Sequence, residues 1–227
     1  MAIYYSKDNE IIDSKNFKHF YYSRVSNIYV NDDVVFKAYH SNTPYIYHMR
    51  RKMFKKFKKY NIPNVVKLID YYHSFSSRIG KMLPMDAYTM NYIKEDKVNL
   101  IDMDRLYLND IIKQCEETLR ELSNKHILIK DMHEDNILFT ENGINLIDLD
   151  QYTENKLLPK SYIYQLNKEE IIHAINCTII CECIKNKKTL YMKKIKNNMN
   201  TTFTEDFLSF LSEDTIQNSI KAYALKL

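Results

Sequence analysis

The sequence predicts an α+β protein with a strand-rich N-terminal part, residues 1–86, and a mainly helical C-terminal part, residues 87–227. Three observations carry this expectation. Aromatic and β-branched runs at residues 20–22, 28–30 and 34–39 are separated by short polar stretches, among them the turn cluster Asn31-Asp32-Asp33. Apolar residues recur at helical spacing in residues 44–60, 99–125 and 167–185. Between the last two of these, residues 126–150 combine a polar loop with a short apolar run, Ile144, Leu146, Ile147 and Leu149.

The N-terminal part reads as three strands, a helix and a further strand. The helix starts at Pro44, which suits a first helical turn, and places Ile46, Met49, Met53, Phe54, Phe57 and Tyr60 on one face. Asn61-Ile62-Pro63 leads into a strand at residues 65–69. No acid occurs in residues 43–69, whereas Arg50, Arg51, Lys52, Lys55, Lys56, Lys58 and Lys59 crowd the polar face. The basic helix 50–59 reads first as an ordinary solvated face and, as the alternative, as a surface for an acidic partner, nucleic acid or anionic lipid.

In the C-terminal part, Leu106, Leu108, Ile111, Ile112, Cys115, Leu119 and Leu122 mark a long helix. Asn109 or Asp110 is the expected cap and Ser123-Asn124 the expected end. Residues 167–185 form an apolar helix on which His173, Cys177 and Cys181 share a face; core thiols are the reading preferred over a zinc site, which needs about four ligands. Residues 203–211 and 216–225 read as short helices.

The chemistry concentrates in residues 126–150. Asp131 is followed five residues later by Asn136, and twelve after that by Asp148 at the end of the apolar run. One carboxylate to orient a hydroxyl, with an amide and a second carboxylate for metal ions on nucleotide phosphates, is what phosphoryl transfer requires. Here the chain resembles the protein-kinase-like superfamily. The catalytic-loop pattern is similar to Ile129-Lys130-Asp131-Met132-His133-Glu134-Asp135-Asn136, and the metal-binding strand end to Asp148-Leu149-Asp150. His133 resembles the form of this loop in aminoglycoside and choline kinases.

The resemblance implies a two-lobed fold that binds ATP and Mg²⁺ between its lobes. Asp131 is then catalytic and Asn136, Asp148 and Asp150 are metal ligands. Lys37, in Val34-Val35-Phe36-Lys37, resembles the strand lysine that holds the α- and β-phosphates. Val25, within residues 23–27, falls in the loop over the phosphates, which here has no glycine. Met85 is the expected backbone donor to adenine, in a hinge at residues 83–86. The family's helix acid is missing, so Lys37 needs another counter-charge, for which Asp148 or the phosphates themselves are the candidates. The segment 151–166 carries no closing motif of a protein-kinase activation segment. The implied activity is transfer of phosphate to a protein Ser/Thr hydroxyl. His133 and Asp150 favour a small-molecule acceptor, and the missing loop glycines and helix acid favour a nucleotide-binding scaffold.

Composition fits such a protein. The chain has 227 residues, 45% hydrophobic, enough for one domain or two small lobes. Net charge is +4, too small by itself to imply nucleic-acid binding. Mean hydropathy is −0.47 and no run is long enough to span a membrane. The first residues lack the basic-then-apolar pattern of a signal peptide, so the expected location is cytoplasmic, with Cys115, Cys177, Cys181 and Cys183 as reduced thiols.

Overall fold

The computed structural model describes residues 3–6, 11–13, 17–22, 26–40, 44–78, 81–94 and 96–185. The chain is α+β and divides into two compact units. The first takes Met1–Asn61 and Val66–Lys94; the second takes Ile62–Val65 and the chain from Glu95.

The first unit is one antiparallel sheet with a helix on it. Strands β1 (Ile3–Ser6), β2 (Ile11–Asp13), β3 (Lys18–Tyr22), β4 (Ser26–Asn31) and β5 (Val34–Tyr39) precede helix α1 (Pro44–Phe57), and β6 (Leu68–Arg78) and β7 (Lys81–Asn91) follow it. The sheet order is β2-β1-β6-β7-β5-β4-β3. The three strands read from residues 20–39 are thus a meander, joined at β4–β5 by a turn in which Asp32 takes the left-handed φ of 44° that Asp tolerates.

Strand β5 is central and buried on both faces, with Phe36 0% and Tyr39 1% exposed. Phe36 packs against Phe17, Tyr29 and Tyr72 on one face. On the other lies α1, whose Phe54 meets Tyr71 and Tyr88 with ring centres 5.1 and 6.1 Å apart. Met53, Phe54 and Phe57 are all buried. Burying each such side chain contributes roughly 1.5–3 kcal/mol.

Several boundaries differ from those read in the sequence. Residues 65–69 are not one strand: β6 begins at Leu68, and Val65 makes an isolated parallel bridge to Leu146 in the second unit. Strand β7 runs unbroken through residue 86, so the units divide after Lys94. Residues 81–84, which run into the hinge expected at 83–86, and residues 74–78 do not break the ladder. Instead they extend a long hairpin in which each of Ser74–Arg78 has a partner across the ladder.

The second unit is built on two long helices. In α2 (Arg105–Asn124) the residues Leu108, Ile111, Ile112, Cys115, Leu119 and Leu122 are each at most 2% exposed. Leu106, expected in that stripe, is 75% exposed in the first turn. The cap is Asp104, whose carboxylate accepts from Tyr107 N at 2.9 Å, and not Asn109 or Asp110, which lie within the helix. Between α2 and α3 (Lys160–Lys185) come β8 (Ile127–Leu128), β9 (Ile137–Thr140), β10 (Gly143–Leu146) and β11 (Thr153–Glu154). Helix α3 starts just after Pro159, seven residues before the apolar pattern that predicted it. The helices read at 203–211 and 216–225 lie outside the described residues.

Candidate functional site

Residues 126–155 of the second unit form a closed excursion of chain. Its neck is the antiparallel pair β8–β11, with Leu128 opposite Thr153, reinforced by Asn155 N donating to His126 O at 2.8 Å. Inside it, β9 and β10 make a hairpin through Glu141-Asn142. Gly143 follows that turn at φ 120°, and a Cβ there would collide with the side chain of Gln114 on α2. Gln114 Oε1 accepts from Ile144 N at 2.9 Å, so the glycine lets α2 grip the hairpin.

The hairpin makes neighbours of residues twelve apart. Asn136 immediately precedes β9, Asp148 lies two residues beyond β10, and Ile147 N donates to Asn136 O at 3.0 Å. The Asn136 side chain is buried, and its amide donates to Asp131 O at 2.8 Å. The loop between is tightened by Asn136 N to His133 O at 2.9 Å and by Asp135 N to His133 Nδ1 at 3.3 Å. Ile129 and Met132, 3% and 2% exposed, anchor it in the core, while Asp131 itself is exposed. Asp131 and Asp148 hold φ of 59° and 58°. Left-handed backbone at a residue other than glycine is uncommon, and its presence at both expected acids marks an overdetermined local structure.

Asp148 and Asp150 flank buried Leu149 at a short 3-10 turn, Leu149–Gln151, and both are half-buried. Beside them Tyr152 is 1% exposed; burial, then the charge of Asp148, holds its hydroxyl well above the usual tyrosine range.

Two amides not singled out in the sequence, Asn167 buried and Asn64 half-buried, set this geometry. Asn167 of α3 is 0% exposed; its Oδ1 accepts from Ile129 N and its Nδ2 donates to Ile127 O, both at 2.8 Å. It therefore clamps the strand that delivers Asp131. Asn64, at φ 57°, donates to Gln114 O and Thr118 Oγ1, each at 3.1 Å, and accepts from Leu146 N at 2.8 Å. A signal existed for Asn167: it interrupts the apolar series Ile163, Asn167, Ile171, and an amide in such a stripe requires partners.

In the first unit Lys37 lies on β5, 5% exposed, directly opposite Tyr88 of β7. Met85 sits inside β7 opposite Ser74, so the hinge placed at residues 83–86 is strand ladder. Val25 lies outside the described residues. Of the basic helix, Arg51, Lys52, Lys55, Lys58 and Lys59 are exposed, and Lys58 pairs with Asp70 at 3.2 Å. Arg50 leaves the polar face: it turns inward and pairs with Asp86 at 3.1 Å.

Of the thiols, Cys115 lies in the core, whereas Cys177 and Cys181, expected as core thiols, are half-buried on a helix face that leaves His173 exposed. Cys115 is 0% exposed and burial pushes it up to about 12; burial, then Glu134, pushes Cys177 up to about 11. Cys177 Sγ lies 3.6 Å from His173 Nε2, and Cys181 Sγ donates to Glu134 Oε1 at 3.6 Å. Among the described residues no group of three or more His, Cys, Asp or Glu is placed to hold a metal ion. Nor is any helix among them long and apolar enough to cross a membrane. No protein-family model matches the chain, and no curated protein matches it.

Proposed function

We propose that the chain is a two-lobed, kinase-like phosphotransferase that moves the γ-phosphoryl group of ATP to a hydroxyl, with a protein Ser/Thr as the acceptor. The observation that carries this reading is the β9–β10 hairpin. It brings Asn136 beside the chain entering Asp148, while the Asn136 amide holds the carbonyl of Asp131. An exposed acid, a buried amide and a second acid from one short stretch are thereby fixed to one framework. The order of elements supports the fold: meander, helix and hairpin in the first unit, long helix, loop and hairpin in the second.

In this reading Asp131 accepts the hydrogen bond of the acceptor hydroxyl and aims its oxygen at the γ-phosphorus. Donation to Asp131 O leaves the Asn136 side-chain oxygen as its acceptor atom, and Asp148 and Asp150 add carboxylates. These are hard oxygen donors of the kind Mg²⁺ takes, and one or two carboxylates suffice for an ion that also binds nucleotide phosphates. Mg²⁺ supplies neutralisation of phosphate charge when bound. Lys37 steadies the α- and β-phosphates.

The test is transfer of ³²P from γ-labelled ATP to generic protein substrates and, in a parallel arm, to choline and aminoglycosides. Asp131→Ala is expected to lower transfer by about 10²- to 10⁴-fold, far beyond the small loss of stability that alanine incurs at φ 59°. Transfer that survives the substitution refutes the role of Asp131. Label appearing only on the small molecules replaces the protein acceptor.

A further inference from the structure

The first unit supplies an acid to the Lys37 face from an unexpected element, and this changes what α1 carries there. Side chains two apart on a strand share a face. With Lys37 opposite Tyr88, the residues Lys37 and Tyr39 of β5 lie on the same face as Asp86 and Tyr88 of β7. Helix α1 packs there through Phe54 and sends in Arg50. The guanidinium carbon lies 3.6 Å from the centre of the Tyr39 ring, and the Lys37 ammonium 5.3 Å from the same centre. Arg50 Nη1 donates to one oxygen of Asp86 at 3.1 Å, and Tyr71 Oη donates to the other at 3.2 Å.

Asp86 is a positioning group in this arrangement. Its side chain is 0% exposed, so it reaches a ligand only through the arginine it holds, whereas the Arg50 side chain keeps 11% of its surface. Stacking on Tyr39 fixes the plane of the guanidinium, and the ion pair fixes its rotation. The result is a lysine and an oriented arginine beside one ring. A point-like ammonium next to a flat, five-donor fork is a combination that suits a chain of phosphates.

We propose that Arg50 is a second phosphate-holding residue of the nucleotide site, oriented by Asp86 and Tyr39. The helix then meets the anionic chain of the ligand with a cation, at the place where the family pattern has an acid that pairs with the lysine. This rests on the nucleotide reading given above. The ligand class it selects is a nucleoside di- or triphosphate over a monophosphate.

Calorimetric titration of the full chain with ATP, ADP and AMP, each with Mg²⁺, tests it. The principal variant is the double substitution Arg50→Gln with Asp86→Asn, which removes both members of the ion pair together. Its affinity for ATP is expected to fall about 10- to 100-fold, with a much smaller change for AMP. Arg50→Lys keeps the charge and loses the fork, and is expected to fall between wild type and the double variant. ATP binding by the double variant within about twofold of wild type makes Arg50 a bolt for α1 only; the proposal then fails while the nucleotide reading stands. Wild type that binds none of the three nucleotides refutes both. If the double variant does not fold, Arg50→Lys decides: unchanged ATP affinity overturns the proposal, and a loss larger for ATP than for AMP supports it.

Discussion

Around Lys37 in the first unit and around Asp131 in the second, polar groups are buried by different means. In the first, charged groups are buried: Asp86 at 0% exposure, Lys37 at 5%, and Arg50 bridging from the helix, cushioned by tyrosine rings. In the second, neutral amides carry the same burden. The side chains of Gln114, Asn136 and Asn167 each bond main-chain atoms of the hairpin or its loop. An amide that bridges two backbone groups fixes chain path without the desolvation cost of a charge. A buried charge with an opposite partner is costly to leave alone, and it suits a place where a charged ligand arrives. The contrast separates a unit that holds geometry from one that holds charge.

Removing the acid of the first unit tests that contrast most severely. Asp86→Ala strands Arg50 and removes the acceptor of Tyr71, and is expected to cost about 3–5 kcal/mol. Urea unfolding measures it; a loss below about 1 kcal/mol would make the pair no stronger than a surface one and erase the difference between the units. Next, Asn167→Leu leaves Ile127 O and Ile129 N buried without partners, at an expected cost of about 2–4 kcal/mol. A fall in phosphoryl transfer beyond the fraction unfolded would follow if the clamp sets Asp131, and transfer that tracks the folded fraction alone would argue against it. The smallest effect is read in alkali. The Cys115 thiol, raised from 9.0 to about 12 in the folded chain, stays protonated there while the unfolded thiol releases its proton. The unfolded state then binds fewer protons, so stability falls as pH rises above 9, by up to about 1.4 kcal/mol per unit. Cys115→Ala should flatten this slope, and an unchanged slope would assign it to other groups.

Much of this was legible because it depends on local pattern. The meander at residues 18–39 follows from its aromatic and β-branched runs and the three helices among the described residues from periodicity, and Asp131, Asn136 and Asp148 lie close in sequence along one short stretch. What escaped depends on pairing across distance. Strands β1 and β2, with four and three residues, have too few positions to show alternation and exist through partners. The continuation of β7 through residues 83–86, expected as a hinge, escaped because ladder bonds to β6 outweigh the weak strand propensity of Pro84 and its Ser-rich partners. Arg50 was read as solvated since nothing local distinguishes it from Arg51; only Asp86, 36 residues away, does.

Ile62–Val65 belongs to the second unit although the chain on both sides of it belongs to the first. During synthesis this segment emerges long before its partners. Asn64 waits for Gln114 and Thr118, and Val65 for Leu146, a loop of roughly 80 residues whose closure cost grows only with the logarithm of its length. The β6–β7 hairpin, with local contacts, can form in that interval. Splitting the gene after Lys94 would therefore not yield two whole halves: the downstream fragment would lack the four residues that tie α2 to the end of β10, and would regain them only by trapping the upstream fragment.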